Sequence, residues 1–208
     1  MKAIFLSASV PVPGRRNYFE TADPFLIQFA VRELVIACLG RRHIVWGGHP
    51  AITPMIQAAC KELGIDFGNA VTLYQSKFFE GRYPEENKDF DNIVYTEAVP
   101  GNLARSLLTM REAMISRDDL VAAVFIGGME GVEIEYELFK LYHHNVPIIP
   151  VAATGGAARE LATKIGVKDT ELDDVDFTNM FYEQLDIDPR EDRHLDNATD
   201  APSVGLKP

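Results

Sequence analysis

The chain has 208 residues, with 31 Asp and Glu against 20 Lys and Arg and a formal net charge of −11. Its 47% hydrophobic and 25% charged residues are the composition of a globular protein, which excludes disorder throughout. No run of 18 apolar residues exists to serve as a membrane helix. The acid is unevenly placed: residues 169–208 carry 12 acids against 3 bases, whereas residues 1–168 carry 19 against 17. The nearly neutral body lacks the basic stripe that a nucleic-acid polymer needs, yet it can take a small phosphorylated ligand.

Ala3–Leu6 reads as a buried strand. It is too short for the core of a signal peptide, so the expected location is cytoplasmic. Asp23-Pro24 opens a helix as N-cap and first-turn proline; the helix runs to Cys38-Leu39, and Gly40 stops it. His43–Trp46 is the second strand, followed by Gly47-Gly48-His49-Pro50, and Thr53-Pro54 caps a helix that Gly64 ends. Val71–Tyr74 is a third strand, residues 76–91 form a polar loop bearing Phe78, Phe79, Arg82 and Tyr83, and Asn92–Thr96 is a fourth strand. Asn102 caps a helix through Met114; Leu120–Ile126 is a strand, Gly127–Gly131 a turn, and a helix follows to His143. Val146–Val151, the turn Thr154-Gly155-Gly156 and a helix over Ala157–Ile165 complete the body. The acidic segment after residue 169 has one short helix at Phe177–Leu185, and a poorly ordered tail is expected beyond Pro189.

Strands alternating with helices predict an α/β, Rossmann-like three-layer sandwich, its mostly parallel sheet covered on both faces. The continuous apolar strands agree with burial on both sides. The expected organisation is one domain over residues 1–168 with an acidic C-terminal extension over 169–208. Cys38 and Cys60, 22 residues apart and inside helical stretches, read as buried inert thiols. The five histidines are scattered, so no metal and no cofactor is expected.

In an open α/β sheet, ligands bind outside the carboxyl ends of the strands. Four strand exits carry small residues there: Ser7-Ala8-Ser9, Gly47-Gly48-His49, Gly127-Gly128-Met129-Glu130-Gly131 and Thr154-Gly155-Gly156. Small residues admit a ligand close to the backbone, and free amides at helix starts attract anions. Neither G-x-G-x-x-G nor the Walker motif is present, which argues against an ordinary NAD dehydrogenase or ATPase. His49, Arg15 and Arg16 are further candidates for phosphate or base contact. Phe78, Phe79 and Tyr83 are candidates for a stacking lid or a dimer contact. Arg41-Arg42 precede the second strand, lie at the opposite edge and receive no ligand role.

The stretches Ile4–Ser9, Val45–Pro54 and Gly127–Glu135 resemble the SLOG superfamily, the Rossmann-like group that includes DprA/Smf proteins and the LOG phosphoribohydrolases. The resemblance covers roughly residues 3–165 and is nearest to a bacterial branch associated with nucleotide-based anti-phage conflict systems. It implies binding of a nucleotide or nucleotide-derived signal, such as an ADP-ribose or cyclic nucleotide derivative, with the protein a sensor or effector component and a homodimer. LOG enzymes carry P-G-G-x-G-T-x-x-E. Here Ile126 stands for the proline, one residue (Met129 or Glu130) is inserted before Gly131, and Val132 replaces the threonine. On that alignment Glu135 falls on the catalytic Glu and Arg111 on the catalytic Arg, which implies an alternative activity: N-glycosidic hydrolysis of a nucleoside 5′-monophosphate. In that chemistry the carboxylate acts on water and on an oxocarbenium-like sugar, and the cation holds phosphate. A third reading is a non-catalytic assembly protein that meets a protein partner through its acidic tail.

Overall fold

The first strand runs further than its apolar stretch. In the computed structural model, which describes residues 2–63 and 70–194, β1 spans Ala3–Ser9 and lies at the centre of a six-stranded sheet. The other strands are β2 (His43–Trp46), β3 (Val71–Ser76), β4 (Ile93–Thr96), β5 (Leu120–Gly127) and β6 (Ile148–Val151). Their order is β4-β3-β2-β1-β5-β6 and every pairing is parallel. Ser7, Ala8 and Ser9 pair with Phe125, Ile126 and Gly127 on β5, so these three residues end a strand rather than form a turn. Sequence order reverses at β1, which has β2 on one side and β5 on the other. The mouth of a doubly wound sheet lies at such a point.

Alternation along β1 divides the core. Ile4 and Leu6 face a cluster built from α2 (Pro24–Cys38), α3 (Thr53–Glu62) and α7 (Phe177–Gln184). Ala3 and Phe5 face a second cluster from α4 (Leu103–Ile115), α5 (Glu130–Tyr142) and α6 (Gly156–Lys164). Both faces of the strands are apolar because helices cover both. The α2 helix shows the local logic. The Asp23 carboxylate accepts from the amides of Phe25 and Leu26, a cap worth about 1 kcal/mol. Ile27, Val31, Leu34 and Cys38 recur at helical spacing and are fully buried, and Gly40 at φ +78 turns the chain away.

Several boundaries differ from the sequence expectation. The α3 helix begins without a side-chain cap at Ile52, and the Thr53 hydroxyl donates back to the His49 carbonyl at 3.2 Å. A four-residue helix, α1 (Tyr18–Thr21), interrupts the long loop after β1. Residues 77–79 and 85–89 form 3₁₀ turns inside the polar loop before β4. Gly64 and the tail from residue 195 onward lie outside the described residues. Among the described residues no helix is long and apolar enough to cross a membrane.

The acidic composition after residue 169 conceals part of the core. Phe177 and Phe181 are fully buried, and Phe177 lies 5.5 Å from the Phe29 ring of α2. The chain then turns back to the α2 C-terminus, where three arginines hold it. Arg41 donates to the carbonyls of Pro189 and Glu191 at 2.8 and 2.7 Å, and Arg42 pairs with the Glu191 carboxylate at 2.7 Å. Arg193 donates to the carbonyls of Leu39 and Ile36, satisfying orphan acceptors at the end of the helix. Residues 190–194 are therefore fastened, in place of the loose tail expected beyond Pro189, and Arg41-Arg42 have a structural task at the edge where no ligand was expected. Burial pushes the thiols of Cys38 and Cys60 up to about 12, which keeps them protonated and unreactive.

Candidate functional site

A cavity of about 410 Å³ opens at the carboxyl ends of β1, β2 and β3. That volume lies within the range of small-ligand sites, about 300–1,000 Å³. Ser7, Ala8 and Ser9 of β1 form its floor together with Gly47, Gly48 and His49 after β2. Arg111 of α4, Gly131 and Glu135 of α5, and Phe79, Arg82 and Tyr83 of the polar loop line its walls. Arg15 reaches the rim from the loop after β1.

The best-connected group on the wall is Glu135. One carboxylate oxygen accepts from the Ser7 hydroxyl at 2.5 Å and the other from Arg111 Nε at 3.0 Å. The side chains of Arg111 and Glu135 are only 12% and 14% exposed, so a charge pair sits in a nearly dry wall with a hydroxyl as third member. Gly131 explains how α4 and α5 approach there: a Cβ on it would stand 3.1 Å from Arg111 Nη2, so a larger residue would crowd the guanidinium. Arg111 and Glu135, 24 residues apart in sequence, are thus brought together.

His49 and Gln75 shape the β2–β3 corner. His49 Nδ1 accepts from the Ala51 amide at 3.2 Å, which fixes the neutral ring with its proton on Nε2. Burial lowers the His49 pKa below its usual 6.5. A depressed histidine pKa means that the unfolded chain binds more protons as pH falls below about 6.5, so the stability conferred by the neutral ring is lost on acidification. His49→Asn keeps an acceptor for Ala51 but has no titrating ring. It is expected to lose less stability than the parent between pH 7 and pH 5 in urea titrations, and identical losses would refute the assignment. Gln75, 4% exposed, donates its amide to the Gly48 carbonyl at 3.1 Å. A Cβ on Gly48 would lie 1.7 Å from Gln75 Nε2, and Gly48 has φ +64, so only glycine fits this turn.

The loop arginines separate. Arg16, at φ +44, pairs with Glu133 at 2.7 Å and Glu160 at 2.9 Å and packs on the Tyr18 ring; it anchors the loop and stays off the cavity wall. Burial pushes the Glu133 carboxyl up, but hydrogen bonds from Tyr18 and Arg16 outweigh it and hold that carboxyl below its ordinary range. Arg15 has only a 3.4 Å contact with Glu130 and is 59% exposed.

The structure gathers Ser7, Ala8, Ser9, Arg15, Gly47, Gly48, His49, Arg111, Gly131 and Glu135 around one hollow. It leaves out the rest of the expected ligand set: Gly127, Gly128, Met129, Glu130, Thr154, Gly155 and Gly156 do not line it. Their corners pack on each other and on the chain. Gly127 donates to Thr154 Oγ1 at 2.8 Å, Gly128 to the Ser9 carbonyl at 2.8 Å, and Ala157 to the Gly128 carbonyl at 3.0 Å. The segment entering α2 fills the β6 turn, where the Asp23 amide donates to the Thr154 carbonyl at 3.2 Å. The glycines there serve close packing. In the aromatic loop Phe79 and Tyr83 reach the cavity, whereas Phe78 packs edge-on against Phe79 at 5.6 Å without lining it. Sequence reasoning missed Gln75. The only signal was a polar side chain directly after the apolar stretch Leu73-Tyr74.

An all-parallel, doubly wound sheet with a hollow at its switch point defines a Rossmann-like α/β protein. The family follows from the sequence: a model described as the SLOG cluster3 family matches residues 17–185, and the chain belongs to that family and so to the SLOG superfamily. The match extends through α7, beyond the limit of about residue 165 drawn from the motifs. Among solved structures the chain is similar to the X-ray structure of TM1055, a Northeast Structural Genomics Consortium target. The TM-score is 0.51 at 16% identity, over 78% of this chain and 81% of that one, a likeness of fold. No curated protein matches the chain.

Proposed function

We propose that the chain binds a small anionic nucleotide derivative in the β1–β3 cavity, as a sensor or effector component. The observation that carries this reading is the charge of the wall: Arg15, Arg82 and Arg111 face a single carboxylate, Glu135, in a chain whose net charge is −11. Cations concentrated in a cleft focus a positive potential that the whole-molecule charge would not suggest. Phe79 and Tyr83 add ring faces on which a base can stack. ADP-ribose, AMP and cyclic nucleotides at saturating concentration form the test. A ligand at 100 times its Kd stabilises the native state by about 2.7 kcal/mol, or roughly 5–10 °C for a domain of this size. At least one member is expected to produce such a rise, and a flat response across the panel would remove the proposal.

The contacts of Glu135 favour a second reading, hydrolysis of a nucleoside 5′-monophosphate. The oxygen of water bonds to the anomeric carbon, the bond to the base breaks, Glu135 takes the proton from water, and the base leaves with a proton from solvent. Arg111 holds the carboxylate at 3.0 Å and Ser7 orients its other oxygen. Free base detected by chromatography, and absent with Glu135→Gln, is the expected signature. Product formation that survives Glu135→Gln would exclude this role.

A further inference from the structure

We propose that Gln75 and His49 read the base of the bound nucleotide, selecting one that presents an amino donor beside an unprotonated ring nitrogen, as adenine and cytosine do; this inference rests on the nucleotide reading above. Gln75 is nearly buried, yet it lines the cavity. Its amide cannot be reversed, because the Gly48 carbonyl only accepts and takes the Nε2 hydrogen. The side-chain carbonyl oxygen is therefore presented as an acceptor, and it meets no protein donor among the described residues. His49, one residue beyond Gly48, spends Nδ1 on the Ala51 amide and keeps Nε2–H as its free donor.

The β2–β3 corner thus lines the cavity with an acceptor and a donor. A ligand edge that pairs with both must give a donor to Gln75 and an acceptor to His49. Inosine and uracil place an oxo group and a ring N–H at the corresponding positions and invert that order. The neighbouring surfaces suit a base as well. Tyr83 is tied by its hydroxyl to the Ser76 carbonyl at 3.1 Å, directly after Gln75, and the Arg82 guanidinium covers the Phe79 ring at 5.6 Å. Arg111 of α4 lines the same cavity and is assigned to the phosphate end of the ligand.

The test compares AMP, IMP, ribose 5-phosphate and purine riboside 5′-monophosphate by calorimetric titration of the full chain. The last keeps the ring nitrogens of AMP and lacks its amine. A site with a buried polar group left unpaired rejects the deficient ligand strongly, so AMP is expected to bind at least about tenfold more tightly than IMP or the deaminated analogue. Gln75→Met is expected to bring AMP and IMP within about twofold while leaving the ribose 5-phosphate affinity unchanged. Equal binding of all three nucleotides by the parent protein would overturn the base assignment and leave nucleotide binding standing. Failure of every compound, ribose 5-phosphate included, would overturn both. If Gln75→Met does not fold, the parent ligand series decides alone.

Discussion

Arg111→Ala is expected to lower stability by about 2–4 kcal/mol, roughly 4–16 °C in melting temperature, and to weaken binding of any anionic ligand at least tenfold. Removing the guanidinium leaves the Glu135 carboxylate in a wall where it is only 14% exposed, with the Ser7 hydroxyl as its remaining partner. An unpaired charge in such a place costs more than the intact pair contributes, because the desolvation of the carboxylate is no longer offset. The same reasoning gives an opposite expectation for the double change. Arg111→Met with Glu135→Leu removes both charges at similar volume and is expected to recover most of the lost stability, while ligand binding stays lost. Thermal denaturation of the parent and the two variants, with titration of AMP, separates the effects. A double variant no more stable than Arg111→Ala would trace the loss to packing of the arginine stem rather than to charge.

Gly155→Ala is expected to cost at least about 4 kcal/mol or to prevent folding. Gly155 has φ +71, and a Cβ there would lie 1.9 Å from the Thr21 carbonyl oxygen. The obstacle is backbone, and it cannot swing aside: the Gly156 amide donates to Thr21 Oγ1 at 3.2 Å, and the next residues are tied to the β6 turn through Asp23. Gly14, at φ +83 with nothing within 4 Å of the place a methyl would take, provides the comparison. Gly14→Ala carries only the left-handed backbone penalty, about 1 kcal/mol. Urea denaturation of both variants checks the difference. Similar small losses would mean that the β6 corner yields easily and is not a fixed packing joint.

The contrast between these corners explains how much of the molecule its sequence disclosed. The sheet was legible because helices cover both faces, so β1, β2 and β5 read as unbroken apolar runs. Caps such as Asp23 and Asn102 were legible because a short side chain that accepts from first-turn amides is a local device. Half of the site was legible too: Ser7–Ser9 and Gly47–His49 as small-residue strand exits at the carboxyl edge of the sheet, and Arg111 and Glu135 only through the resemblance to the LOG motif. The two remaining glycine corners were not distinguishable from these. A turn that opens to a ligand and a turn that opens to a neighbouring carbonyl both call for glycine, and only the tertiary contact of Gly155 with Thr21 separates them. Gln75 was hidden for the opposite reason. Its role follows from Gly48, 27 residues away, and nothing local marks that hydrogen bond. Phe177 and Phe181 were obscured by the acidic residues that flank their short helix on both sides, although the inner side of that helix completes the core.

The arginine clasp at the end of α2 governs how the acid-rich terminus can be probed. A chain that ends before residue 186 would lose the Pro189 and Glu191 carbonyls that Arg41 holds, the Asp186 carbonyl and Glu191 carboxylate that Arg42 holds, and the Arg193 guanidinium that closes the helix. Any associate lost on such trimming would then report a damaged helix end rather than a missing handle. Cutting after His194, whose amide still reaches the Gly40 carbonyl at 2.5 Å, spares the fastening and isolates what the last residues do.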